Sequence, residues 1–415
     1  MIILSDKIKY ISTLISGTAL SQLISIISTF ILARIYTPDS FGVFGSALAI
    51  CTIMSVMIGL KYELTVIFPK TERVASLASA LSVLVLLFLT LVAFLLLTFV
   101  SYLHLINLDF PVITYITITA LLAFEQISMN WLVRTKSFKI IAYIAILKTT
   151  SIAVLQILLS DTTMGLWYGY LLGNLIAAFF YLLFTFRSLV GGIHAISFNR
   201  ISYFLTRNKK FPKYSLPAGT LNSFGNQIPI LLIRSLFGEQ YAGYFLLIRK
   251  LILAPAILIS TNINKVLSQD VTKRIAQNKP YLENVIFYIQ LSAILSLITF
   301  TFILIFLYNN GIAIIMGENW NEAVALAYIL LPFAIFSFIA RSVSRFAIYG
   351  KNEWGLYYQC IFALMSTLSI YLCSLIVSDF KLVMSSYSLI MSIIYITQIF
   401  MVINVAKNHY NKLSY

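Results

Sequence analysis

Glu125, Lys148, Arg249 and Lys250 each stand inside a long apolar stretch of the chain, where an ionisable side chain is least expected. A charge at the centre of a bilayer-spanning helix costs on the order of 2.5–3.5 kcal/mol even on lenient insertion scales, so such residues mark a partner, a guest or an ion path. Arg249 and Lys250 are adjacent, roughly 100° apart around a helix, and both can border one cavity. No acidic residue lies at similar depth in the second half of the sequence, so this dibasic step lacks an evident counter-charge. Arginine grips phosphate through a planar fork and lysine acts as a point charge, which makes a phosphate or pyrophosphate head group the natural guest. Asn222 and Asn226, four residues apart and bracketed by Pro217 and Pro229, share a helix face. Their amides either bind sugar hydroxyls or hydrogen-bond between helices. Pro255, a turn beyond the dibasic step, removes a backbone hydrogen bond and is placed to kink the helix there.

Glu125 and Lys148 fall at similar depth in consecutive apolar stretches. They are read either as an ion pair that fixes packing or as a carboxylate that takes up and releases a cation, most simply a proton, to couple flux to a gradient. Other chemistry is not legible. His104, His194 and His409 have no spacing suited to a metal or a nucleophile. Cys51, Cys360 and Cys373 fall within apolar stretches and are read as structural thiols. Gly191-Gly192 lacks the flanking strand and lysine of a phosphate loop, so nucleotide hydrolysis is not expected to drive the chain. Gly165, Gly169 and Gly173 form a small-residue stripe for close helix packing. No cofactor and no metal are called for; a proton or sodium gradient is the expected energy source.

The elements that must position these residues are membrane helices. Of the 415 residues, 60% are hydrophobic and only 10% charged, with a mean hydropathy of +0.93. About twelve apolar stretches long enough to span a bilayer follow one another. In the first half they run over 11–33, 41–60, 74–100, 112–133, 140–160 and 164–186. In the second half they run over 215–233, 241–263, 285–307, 323–340, 356–377 and 382–405. The net charge of +15 would raise nucleic acid as a partner for a soluble chain, but most of the 29 Lys and Arg fall in alternate connections. That is the positive-inside pattern, with both termini cytoplasmic and no face left for nucleic acid. The opening apolar stretch is longer than a secretory signal core and is read as a retained helix.

The longest cytoplasmic connection, Arg187 to Tyr214, carries six basic residues: Arg187, Arg200, Arg207, Lys209, Lys210 and Lys213. Short matches flank it. Gly17-Thr18 answers Gly219-Thr220, Arg34 answers Arg234, and Phe41-Gly42-Val43-Phe44 answers Ala242-Gly243-Tyr244-Phe245 at an offset of about 201 residues. Arg134 to Phe138 loosely answers Gly350 to Trp354. An all-α polytopic protein with two six-helix lobes, 1–200 and 201–415, is expected, with a site at the lobe interface. External connections are short: the longest runs from Tyr308 to Glu322, and one near Asp161 is a few residues. A polymerase with a long catalytic external loop is therefore disfavoured.

Ser16-Gly17-Thr18-Ala19-Leu20-Ser21-Gln22, followed by Ala33-Arg34-Ile35-Tyr36-Thr37-Pro38-Asp39-Ser40-Phe41-Gly42-Val43-Phe44, resembles the opening of bacterial O-antigen and polysaccharide flippases. These are polysaccharide transporters of the multidrug, oligosaccharidyl-lipid and polysaccharide exporter superfamily. The Lys61-Tyr62-Glu63 corner adds to the likeness, and the helix layout agrees over nearly the whole chain. The resemblance implies two lobes forming a V around a cationic cavity that opens alternately to each side of the bacterial inner membrane. It implies as substrate an oligosaccharide repeat unit on undecaprenyl pyrophosphate, moved from the cytoplasmic to the periplasmic leaflet. It also implies membrane lipids, a polysaccharide polymerase and a chain-length regulator as partners. A cation-coupled drug antiporter of the same superfamily is the alternative, although a cavity with excess positive charge repels cations.

Overall fold

The structure, a computed structural model, describes residues 2–309, 311–344 and 352–413; side chains are described for fewer of them at the N-terminus and near position 352. Fourteen α-helices follow in order among these residues. They are α1 Ile2–Ile35, α2 Pro38–Gly59, α3 Glu72–Tyr102, α4 Val112–Arg134, α5 Phe138–Leu158, α6 Gly165–Ile193 and α7 Phe198–Arg207. Then come α8 Leu216–Phe237, α9 Glu239–Ala276, α10 Leu282–Tyr308, α11 Gly311–Met316, α12 Asn321–Val343, α13 Asn352–Ile376 and α14 Phe380–Leu413.

Eleven of the described helices are long and apolar enough to cross a membrane. The sequence counts a twelfth, and α8 is its counterpart: its 22 residues suffice in length, but Asn222, Asn226 and Gln227 lower its apolar character. The protein is thus a multi-pass, all-helical membrane protein. Two expected connections are helical instead. The basic linker contains α7 and a π-helical turn at Phe211–Ser215, and the stretch after Tyr308 contains α11 and a 3-10 turn at Glu318–Trp320. Helices also overrun their expected ends, because amphiphilic turns continue helical hydrogen bonding beyond the apolar core. α9 runs on to Ala276 with Pro255 inside it, and α12 runs to Val343.

The chain forms two compact units, Met1–Tyr36 with Val43–Ser223, and Thr37–Gly42 with Phe224–Tyr415. In the first, α6 packs on α5, α3 and α4, and α1 packs on α5. The glycine stripe explains the α5–α6 approach: a Cβ at Gly169 would meet the Gln156 backbone and one at Gly173 would meet Ile152. Tyr36 Oη donates to the Gln156 carbonyl at 2.7 Å and Gln156 Nε2 donates to that of Leu166 at 2.8 Å, tying α1, α5 and α6 together. Cys51 is buried beside Tyr115 and Trp167, and its thiol donates weakly to the Tyr115 carbonyl, as expected of a structural thiol.

The corner after α2 is held from α4. Lys61 adopts a left-handed conformation (φ 60°), the chain forms a 3-10 turn at Tyr62–Val66, and buried Glu63 pairs with Lys61 at 3.3 Å. Asn130 donates to the Glu63 carbonyl at 3.0 Å, and Arg134 donates to the carbonyls of Ile67 at 3.0 Å and Thr71 at 3.3 Å. Two α4 side chains thereby hydrogen-bond to three carbonyls between the irregular turn and the start of α3.

In the second unit α12 packs on α9, α10 and α14, and α13 on α14. The start of α2 belongs here too. Thr37 caps α2 through its hydroxyl to the Ser40 amide at 3.4 Å, with Pro38 at the first helical position. A Cβ at Gly42 would strike the Glu239 carbonyl, and one at Gly243 would strike that of Pro38. The two contacts are reciprocal, at the same offset of about 201 residues as the short sequence matches, where the starts of α2 and α9 cross. Gly350 and Lys351, in the other match, lie outside the described residues.

Candidate functional site

The deep charges separate by unit. In the first, Lys148 on α5 donates to Glu125 Oε2 on α4 at 2.6 Å, and both side chains keep about a fifth of their surface exposed. Tyr170 and Tyr181 of α6 lie close enough to act electrostatically on the pair. Adjacent antiparallel helices bring the two charges to one level, and pairing offsets much of the cost of holding either in an apolar setting.

In the second unit the deep cations Arg249 and Lys250 make no ion pair with a carboxylate among the described residues. Arg249, on α9, donates through both terminal nitrogens to Asn226 on α8, to its backbone carbonyl and, at 3.2 Å, to its Oδ1. Pro229 cannot donate a backbone N–H, so α8 leaves the Gly225 carbonyl free, and that carbonyl accepts from the Ser366 hydroxyl at 2.8 Å, one residue before the Asn226 carbonyl that serves the guanidinium. The guanidinium also lies over the Phe245 ring at 5.7 Å, a cation–π contact one helical turn away. Lys250, the next residue, is exposed and makes no hydrogen bond or ion pair among the described residues. Asn222 stands one turn before Asn226 on α8.

Sequence reasoning missed Arg341. It ends the span at Ala340 and assigns Arg341 to a cytoplasmic connection, whereas α12 continues to Val343 and carries Arg341 in its last turn. Its Nε is buried without a hydrogen bond, and no ion pair reaches the side chain among the described residues. Arg341 is close enough to repel Arg249, and both act electrostatically with Tyr387. The signal was available: Ser342 and Val343 extend the apolar face beyond the charge, and both are buried.

Aromatic side chains surround these cations. Phe245 meets Tyr387 edge to face at 6.1 Å, Phe333 lies 5.7 Å from Tyr387 and 5.8 Å from Tyr395, and Phe362 is 6.0 Å from Tyr395. Tyr387 and Tyr395 are almost fully buried. The result is a cationic centre with one amide partner, walled by rings that carry hydroxyls. It can accept an anionic group of two or more oxygens, and it repels cations. No group of His, Cys, Asp or Glu among the described residues is arranged to hold a metal.

Three comparisons bear on identity. The fold matches a multidrug resistance MATE family transporter of the MOP superfamily in an inward-facing conformation (TM-score 0.67, 12% identity, 95% of each chain). It also matches a MATE protein in complex with MaD5 (TM-score 0.62, 12% identity, 96% of this chain and 95% of that one). A third match is a MOP superfamily transporter from Pyrococcus furiosus, reported with a binding pocket of reverse polarity that suggests a different function (TM-score 0.57, 13% identity, 96% and 95%). At these identities the likeness concerns the fold alone. A search of curated proteins finds no match. The profile of a family described as polysaccharide biosynthesis protein matches residues 31–325, which include most of the second-unit cations and all of the α2–α9 crossing. The chain therefore belongs to the polysaccharide biosynthesis protein family and carries it on a MATE-like scaffold.

Proposed function

We propose that the protein is a flippase of the bacterial inner membrane, both termini cytoplasmic, that moves an oligosaccharide repeat unit on undecaprenyl pyrophosphate from the cytoplasmic to the periplasmic leaflet. Its product feeds O-antigen, capsule or another exopolysaccharide. The observation that carries this reading is the carboxylate-free cationic centre of Arg249, Lys250 and Arg341, with Arg249 braced by Asn226. Uncompensated charge of this kind is stabilised when a multiply charged anion arrives. A pyrophosphate supplies two phosphoryl groups, one for a guanidinium fork and one for the ammonium of Lys250. Asn222 and Asn226 then face the first sugars, and the surrounding rings give the apolar faces of sugars a wall. Family membership supports a polysaccharide precursor as cargo.

In the first unit, Glu125 and Lys148 form the coupling element. A proton or sodium ion that neutralises Glu125 releases Lys148, so the pair's state reports the gradient. The downstream partners on this reading are a polysaccharide polymerase and a chain-length regulator. A cation-coupled antiporter is the competing function, and Glu125 is the sole feature that favours it.

The test uses proteoliposomes loaded with labelled undecaprenyl-pyrophosphate oligosaccharide and a membrane-impermeant modifying reagent. Wild type is expected to expose the lipid-linked sugar rapidly. Arg341→Gln, which removes one charge-assisted contact, is expected to slow translocation by about tenfold, and Arg249→Gln with Lys250→Gln, which removes two, by more than that. A wild type that moves an organic cation but no lipid-linked sugar under any ion gradient refutes the reading.

A further inference from the structure

A cavity of about 660 Å³ lies in the first unit between α7 and the start of α3, away from every residue assigned above. Its volume is within the range of about 300–1,000 Å³ typical of small-ligand sites. One wall is the corner fixed by Asn130 and Arg134, running from Thr65 to Ala78; the other is a single face of α7. On that face Arg200, Tyr203, Phe204, Arg207 and Asn208 recur at helical spacing, and all line the cavity.

The lining divides by chemistry. Phe68, Val74, Leu77 and Phe204 make the floor apolar, whereas Lys70, Arg200 and Arg207 ring it with positive charge and no acidic side chain lines it. Arg207 donates to Tyr203 Oη at 2.5 Å and stacks over that ring at 5.5 Å, so its guanidinium is held at the rim. Arg200 is anchored on the Ala195 carbonyl at 2.6 Å. Thr71, the N-cap residue of the 31-residue α3, lines the same cavity and makes no side-chain cap hydrogen bond.

α7 is built to lie on a membrane. Phe204 is buried against Tyr62, Ala78 and Leu81, while Phe198, at 84% exposed, and Leu205 project elsewhere, in an unusually amphipathic ten-residue helix. α3 is a span whose N-terminal end is the cavity wall, so the cavity sits at the water–lipid boundary, on the side marked by basic connections.

We propose that this cavity binds the phosphate head of an anionic phospholipid from the cytoplasmic leaflet, with its glycerol and upper chains on the apolar floor. Charge complementarity selects anionic over zwitterionic head groups, because a choline cation would be repelled by three nearby cations. The bound lipid seals α7 onto the first unit, a role independent of the translocation site.

The full-length protein in detergent is incubated with phosphatidylglycerol or with phosphatidylcholine of the same chains, and retained lipid is counted by native mass spectrometry. Wild type is expected to keep one phosphatidylglycerol in preference to phosphatidylcholine. Arg200→Gln with Arg207→Gln is expected to weaken retention roughly thirtyfold, at about fivefold for each cation near a lipid head. Arg200→Lys with Arg207→Lys should retain most of the affinity, and unchanged helical circular dichroism keeps a folding defect distinguishable. Equal retention of both lipids, or undiminished phosphatidylglycerol binding in the glutamine variant, overturns the proposal. So does displacement by inorganic pyrophosphate, which assigns a soluble-phosphate site, or by equimolar undecaprenyl pyrophosphate, which assigns the cavity to the carrier lipid.

Discussion

Glu125 and Lys148 neutralise each other, whereas Arg249 and Arg341 sit together and repel, and the two arrangements respond oppositely to mutation. Glu125→Gln alone leaves the Lys148 ammonium without its partner and is expected to lower stability by about 3 kcal/mol, near the lower end for a buried pair because both side chains are partly exposed. Glu125→Gln with Lys148→Met removes both charges and is expected to lie within about 1 kcal/mol of wild type. Unfolding midpoints in detergent compare the two; a double variant as unstable as the single one shows that the pair is not the source of the loss. These charges were legible in the sequence because an apolar setting makes any ionisable residue conspicuous. Arg341 was not, since its charge itself ends an apolar window, and only packing of Ser342 and Val343 shows that the helix carries on. The Asn226–Arg249 contact was half legible: both residues stood out, but either interhelical bonding or sugar binding suited the amide.

At the scale of elements, spans were read well and connections poorly. Bilayer length fixes a span from composition alone, whereas α7 is ten residues with four apolar positions, below what an apolar-run criterion registers. Its spacing of Ile201, Phe204 and Leu205 was the available signal. The repeat was visible only as short matches, and its meaning emerges where α2 and α9 cross. Gly42→Ala and Gly243→Ala each place a methyl against a backbone carbonyl that cannot rotate away, and each is expected to cost about 1–3 kcal/mol. Gly191→Ala in α6 meets nothing within 4 Å and serves as the control, expected to be neutral or slightly stabilising. Thermal midpoints of the three purified variants decide; tolerance at position 42 or 243 removes the close crossing as a constraint.

Across the whole molecule, one fold supports different cargoes, and charge decides which. The fold is similar to that of a multidrug resistance transporter, so on the proposed reading any difference in cargo rests on the side chains of the site and not on the topology. The proposed centre was read from the sequence as Arg249 and Lys250; the structure adds Arg341 and buried rings contributed by α9, α12, α13 and α14 that no linear pattern groups together.

On the proposed function, the unequal charge of the two units makes the empty carrier an electrical object. An interior cation displaced through the full membrane potential exchanges about 2.3 kcal/mol per 100 mV, so three unneutralised cations feel the field strongly, while a centre loaded with pyrophosphate barely feels it. On that proposal the field acts on the return of the empty carrier, and a cytoplasm-negative voltage would pull its cationic site back toward the cytoplasmic side. Turnover in liposomes clamped by a potassium diffusion potential is expected to rise with cytoplasmic negativity and to lose part of that slope in Arg341→Gln. A rate that falls with the same voltage places the electrically sensitive step on the loaded carrier instead.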